Sequence, residues 1–158
     1  MKAPKKYTPE EALQYAAGAC ARAEQSEFDI RRKLRLHGIT GAEADKIIDY
    51  LFEHSFLDDE RFAKAFANDK VQFSSWGKIK IRAALAMKKI PRYAIDKALE
   101  AIEDDDYLFS LNTLALQLSK NVDLRDRESR LKIVRRLASR GYELSLINQA
   151  IANVIEFT

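Results

Sequence analysis

The sequence predicts an all-α fold built from three tandem three-helix repeats. Three observations carry that prediction. The first is composition. The 158 residues include only 5 Gly and 3 Pro, too few for the many turns of an all-β chain, while Ala, Leu, Lys, Arg and Glu favour helix. The second is an internal repeat. IRRKLRLHGI (30–39), IRAALAMKKI (81–90) and IVRRLASRGY (133–142) align without gaps. Ile30, Ile81 and Ile133 correspond, as do Leu34, Leu85 and Leu137, then Ile39, Ile90 and Tyr142. The register continues through Ile48, Leu99 and Ile151 to Leu51, Ile102 and Val154, a period of about 51 residues suited to helical repeat units. The third is a set of helix-start and helix-stop residues at matching offsets. The expected units are 8–57, 58–104 and 105–158.

In the first unit, Thr8-Pro9-Glu10-Glu11 reads as a capping box with proline at the first helical position. That helix is expected to run to about Glu24. Ser26 caps a second helix, and Gly38 ends it as the residue just past the last turn. Thr40-Gly41-Ala42-Glu43 reads as another capping box, opening a helix to about His54. Asp58 is the expected cap of the next helix, with Asp59 and Glu60 in its first turn, and Leu57 and Phe62 stand at the spacing of a hydrophobic staple. The middle unit is expected to hold helices near 59–73, 76–88 and 92–103. Lys89 takes the place of Gly38, so that turn must close without glycine, and Pro91 follows it. The third unit is expected to hold helices near 106–119, 127–140 and 143–156. Asp104-Asp105-Asp106 repeats the acidic helix start there, and Gly141 repeats Gly38. The rival reading of these acid clusters is a divalent-metal site, which needs further ligands from elsewhere.

The net charge of +3 at pH 7 is modest, but its distribution is not. The middle helix of the first unit carries Arg31, Arg32, Lys33 and Arg35. That of the second carries Lys78, Lys80, Arg82, Lys88 and Lys89. That of the third carries Arg127, Arg130, Lys132, Arg135, Arg136 and Arg140. These fifteen are more than half of the 27 Lys and Arg, and leave the rest of the chain net acidic. Lys132, Arg136 and Arg140 recur every four residues as one stripe. The aligned positions are Lys80, Ala84 and Lys88, then Asp29, Lys33 and His37. If the units stack, one basic face results, suited to a polyanion or an acidic protein surface. The bland alternative is a merely solvated helix face. No zinc-finger or RNA-recognition signature accompanies it. Trp76 and Tyr93 are the two aromatics outside the plainest apolar pattern, with the core the favoured place for each.

Catalytic signatures are missing. There is no phosphate-binding G-x-x-x-x-G-K-[ST], no G-x-G-x-x-G, no H-E-x-x-H and no G-x-S-x-G. His37 and His54 each fall at a helix end, and Cys20 lies in an Ala-rich stretch without a local basic cluster. The expectation is a binding protein, not an enzyme, with no cofactor and no metal. No apolar run is long enough to cross a membrane and MKAPKKYTPEE has no signal-like apolar stretch, so the expected place is the cytoplasm.

Three stretches carry a resemblance to a known family. Tyr50-Leu51, then Phe56-Leu57-Asp58-Asp59-Glu60-Arg61-Phe62-Ala63, then Gly77-Lys78-Ile79-Lys80-Ile81 and Leu85, resemble the central signature of RecX, the bacterial regulator of the recombinase RecA. Lys89 departs from the family, which usually shows glycine there. The resemblance covers the whole chain and implies an elongated, curved helical solenoid. It implies binding to RecA filaments assembled on DNA, along the helical groove, with reduced filament growth, ATP hydrolysis and strand exchange. On this reading the protein is a monomer. Its RecA- or DNA-binding face comprises the basic residues named above, Arg127 aside, with Lys132, Arg136 and Arg140 foremost and Lys80 and Lys88 next. Phe56, Leu57, Asp58, Asp59, Arg61, Phe62, Ala63 and Gly77 are chiefly structural. The alternative is a sequence-independent binder of single- or double-stranded DNA that competes with RecA.

Overall fold

The computed structural model describes residues 2–158, which form nine α-helices and no strand. They are α1 (Pro9–Arg22), α2 (Glu27–Leu36), α3 (Gly41–Glu53), α4 (Asp59–Ser74), α5 (Lys78–Met87), α6 (Arg92–Glu100), α7 (Asp104–Leu118), α8 (Arg127–Ser139) and α9 (Leu144–Phe157). Thr8 forms the complete capping box, its hydroxyl accepting from the Glu11 N–H while its own N–H donates to the Glu11 carboxylate, each at 3.2 Å. Ser26, Asp58 and Asp126 accept from the N–H three residues on, at 2.9–3.1 Å. Each cap satisfies one of the donors that a helix start leaves unpaired.

The repeat is visible in the backbone itself. Each middle helix ends in the same turn, in which the N–H of Ile39, Ile90 and Tyr142 donates to the carbonyl of Leu34, Leu85 and Leu137 respectively. The residue before each, Gly38, Lys89 and Gly141, is left-handed, with φ of 79°, 60° and 93°. This is the paired-carbonyl helix ending that glycine favours. Lys89 adopts it without glycine, at a backbone cost of roughly 1 kcal/mol.

Several expected details differ. Thr40 makes no side-chain cap bond. α6 stops at Glu100 and α7 starts at Asp104, because Ile102 is drawn into the core within the turn between them. Glu103, not an aspartate, stands at the N-cap of α7, without a side-chain cap bond. Tyr93 is exposed rather than in the core. Leu57 and Phe62 are both buried, but in different cores, so they are not a staple.

The chain passes from one core to the other between Leu57 and Phe62. α1, α2 and α3 pack on one another around Ile30, Leu34, Ile48 and Leu51, and Leu57 closes that core. α4 to α9 share a second, continuous core that includes Phe62, Leu85, Tyr107, Leu111, Leu137 and Ile147, and α4 lies against α7 within it. The accessible surface is 10313 Å², against about 8,100 Å² for a compact monomer of this mass. The surplus is that of an elongated solenoid.

Separate cores predict separable losses. Leu51 is 0% exposed, so Leu51→Ala should cost about 2–5 kcal/mol. Amide exchange should accelerate in α1–α3 and stay slow through α4–α9. Uniform acceleration would show a single cooperative unit.

Candidate interaction surface and its joints

The three basic helices run head to tail. The end of α8 meets the start of α5, and the end of α5 meets the start of α2. The two meetings are built differently.

At the first of these, α5 has no side-chain cap, since Gly77 offers none. Backbone from α8 does the capping instead. The Gly77 N–H donates to the Arg140 carbonyl at 2.7 Å and the Ile79 N–H to the Gly141 carbonyl at 3.1 Å. Unpaired donors at one helix start thus consume unpaired acceptors at another helix end. The approach leaves no room for side chains. A Cβ on Gly77 would lie 2.2 Å from the Gly141 carbonyl carbon, and one on Gly141 would lie 2.4 Å from the Lys80 Cβ. Buried Tyr107 reinforces the joint. Its hydroxyl accepts from the Lys78 N–H at 2.9 Å and donates to the Glu143 carboxylate at 2.7 Å. Burial, then the Glu143 bond, push this phenol far above its usual range, so it remains a donor. Arg140 reaches back to donate to the Ser74 carbonyl at 2.6 Å, capping the end of α4.

At the second meeting the repeat-equivalent residues are Ser26 for Gly77 and Lys89 for Gly141. Ser26 caps α2 with its own hydroxyl, and no backbone hydrogen bond joins 26–28 to 88–89 among the described residues. A side-chain ion pair stands there instead. The Lys88 ammonium lies 2.7 and 2.9 Å from the two Asp29 oxygens. Burial alone would raise the Asp29 carboxyl, but the Lys88 and Ser26 hydrogen bonds prevail and hold it below the usual carboxylate range. Beside the pair is a cleft of about 210 Å³ lined by Glu27, Phe28, Arg31, Arg32, Arg35, Asp59, Lys88, Lys89 and Ile90.

The motif residues lie between the two cores. Phe56 packs on the first core, Ala63 is in the second, and Asp58 caps α4. Asp59 is half-buried, and burial, then Glu27 and Asp58, raise its carboxyl. Arg61 donates to Glu24 at 2.5 Å and to the Ser55 and Phe56 carbonyls at 3.0 and 3.3 Å. Its acid partner, Glu24, lies in the segment between α1 and α2.

The basic side chains sort into two groups. Many are engaged within the chain. Arg31 pairs with Glu27 and Asp45, Arg82 with Asp96, and Lys88 with Asp29, while Arg32 stands 3.8 Å from Asp29. Lys33 donates to Gln25, and Arg130 to the Leu124 carbonyl. Lys78 lies over the Tyr107 ring, while Lys80 and Lys70 both lie 4.5 Å from the Trp76 ring centre. Arg35, Lys89, Lys132, Arg135 and Arg136 are exposed and have no ion pair among the described residues. The four-residue stripe is therefore split. Lys132 and Arg136 face solvent, whereas Arg140 is half-buried at the joint. Arg135 joins the outward pair. Sequence reasoning missed Tyr107, Glu143 and Glu24, whose partners lie 29–37 residues away. No local pattern marks them. His37 and His54 cap α2 and α3, and each Nδ1 donates to a backbone carbonyl, at 2.7 and 2.9 Å.

The joint makes sharp predictions. Gly141→Ala combines a steric conflict with φ of +93° and should cost about 2–5 kcal/mol by urea unfolding. A loss within 0.5 kcal/mol, the size of an ordinary surface change, would show that the joint yields. Tyr107→Phe leaves the Lys78 N–H and the Glu143 carboxylate without their partner and should cost about 1–3 kcal/mol.

The profile of a family described as "RecX, second three-helix domain" matches residues 58–99. A regulatory protein RecX of Vibrio parahaemolyticus is 30% identical over 133 residues, 84% of each chain. One from Vibrio campbellii is 28% identical over 152 residues, 96% of this chain and 94% of that one. One from Clostridium botulinum is 32% identical, and the match covers 84% of this chain and 63% of that longer protein. The crystal structure of RecX from Lactobacillus salivarius superposes with a TM-score of 0.77 over 92% of this chain and 96% of that one, at 21% identity.

Proposed function

The chain belongs to the RecX family of regulatory proteins, and from that premise we propose that it regulates RecA by binding the RecA–DNA filament. The binding mainly inhibits ATP hydrolysis, filament growth and strand exchange. The observation that supports this most is the outward set Lys132, Arg135 and Arg136 on α8, exposed and without an ion pair among the described residues. An elongated monomer with such a face suits the acidic protein surface and phosphates along a nucleoprotein groove. Arg35 and Lys89 extend the same charge toward the other end. The engaged residues Lys80, Arg82, Lys88, Arg130, Arg140 and Arg31 hold the helices that present it, and Lys78, Arg32 and Lys33 remain part of the proposed face. The units 8–57, 58–104 and 105–158 would each supply a weak contact, and the contacts would add by avidity. The protein acts in the cytoplasm, without cofactor, and as a binder rather than an enzyme.

The test is RecA ATP hydrolysis on single-stranded DNA as this protein is titrated, beside Lys132→Glu/Arg135→Glu/Arg136→Glu. The expected result is inhibition well below one protein per RecA, weakened about tenfold or more in the variant, equivalent to at least ~1.4 kcal/mol. Equal inhibition by a folded variant would move the contact off α8. Strong, steeply salt-dependent binding to bare DNA, with inhibition relieved by added DNA, would favour competition for DNA instead.

A further inference from the structure

The two joints differ in kind, and the difference reaches beyond binding. α4 to α9 share one core, and the α5–α8 joint is made of backbone with no space between. Across the other joint no core is shared, and no helix of α1–α3 packs side by side with a helix of α4–α9. What holds it is polar. Arg61 joins Glu24 close to the connecting segment 54–58. Lys88 joins Asp29 beside the open cleft, with side chains about three-quarters or more buried. Around that cleft like charges face each other, the cations Arg35 and Lys89 and the acids Glu27 and Asp59. Backbone contact is short-ranged and fixes both distance and angle. A lysine–aspartate pair is a flexible tether whose strength depends on salt and on competing charge.

We infer that this joint is a hinge. Helices α1–α3 form an arm that swings about segment 54–58 against a rigid body made by α4–α9, and the Lys88–Asp29 pair is its releasable latch. With the latch closed, Asp29 offsets the cations around the cleft. When salt screens the pair, the tether loosens and the arm opens; when an acidic group takes Lys88 from Asp29, the remaining cations repel and open it too. The lysine at the position of Gly141 and the serine at that of Gly77 keep the joint from closing into the backbone-paired form.

The experiment is a pair of spin-label distance distributions in the full chain, with Cys20→Ala in both. Labels at Asp49→Cys and Asn148→Cys span the hinge, and labels at Glu100→Cys and Asn148→Cys lie within the rigid body. Salt is raised from about 0.05 to 0.5 M, shortening the screening length from roughly 14 to 4 Å. The spanning distribution should broaden and shift while the internal one stays fixed. Asp29→Lys should produce the open distribution already at low salt, and Asp29→Lys/Lys88→Asp should restore the closed one. A spanning distribution as narrow and salt-independent as the internal one overturns the hinge. If Asp29→Lys fails to fold, the salt series on the otherwise unaltered chain decides alone. If the arm opens with salt but the reversed pair does not close it, the latch is not Lys88–Asp29, and that part of the inference falls.

Discussion

The structure depends on how a helix start finds partners for its unpaired N–H groups. At Gly77 the chain provides no side chain to cap α5, so the carbonyls of Arg140 and Gly141 take that role. Everything about the second half follows. Two glycines are required because the backbones touch. The Arg140 side chain is drawn to the end of α4, Tyr107 is pinned between Lys78 and Glu143, and α4 to α9 become one packed body. At Ser26 the same need is met locally by a hydroxyl. The neighbouring helix is then free to stand off, and the space between is occupied by charge.

Much of this was legible in the sequence. Apolar positions 30, 34 and 39 and their counterparts carry the register of all three units, and each is buried. Cap residues announced four helix starts by type, and Thr8, Ser26 and Asp58 perform as expected. These signals are local, and local rules govern them. The failures share a cause too. Leu57 and Phe62 stand at staple spacing, but the chain crosses from one core to the other between them. The acids before Tyr107 look like those before Phe62, yet burial of Ile102 shifts the helix start.

The basic face shows the limit most clearly. Counting charges shows which helices are basic, but a count does not separate a cation facing water from one capping a neighbouring helix. Arg136 and Arg140 lie one turn apart, and only the partner at Ser74, 66 residues distant, divides them. Arg61 is similar: its place in the motif was evident, while its acid, Glu24, lies 37 residues back. Such pairs are matters of tertiary geometry. They become visible only once the repeats are stacked.

The head-to-tail order of α2, α5 and α8 gives the molecule a direction. At each meeting the carbonyl-rich end of one helix faces the amide-rich start of the next, so their dipoles point the same way. The two outer ends have no neighbouring helix end among the described residues and are served by side chains instead. One is the start of α8, where the Asp126 cap and Glu128 face the amide-rich end; the other is the end of α2, where Lys33 and Arg35 face the carbonyl-rich end. A partner whose own subunits all point one way along an axis would meet two inequivalent poles. Turning the protein end for end on such a polymer would exchange those two ends, so the two orientations are not equivalent.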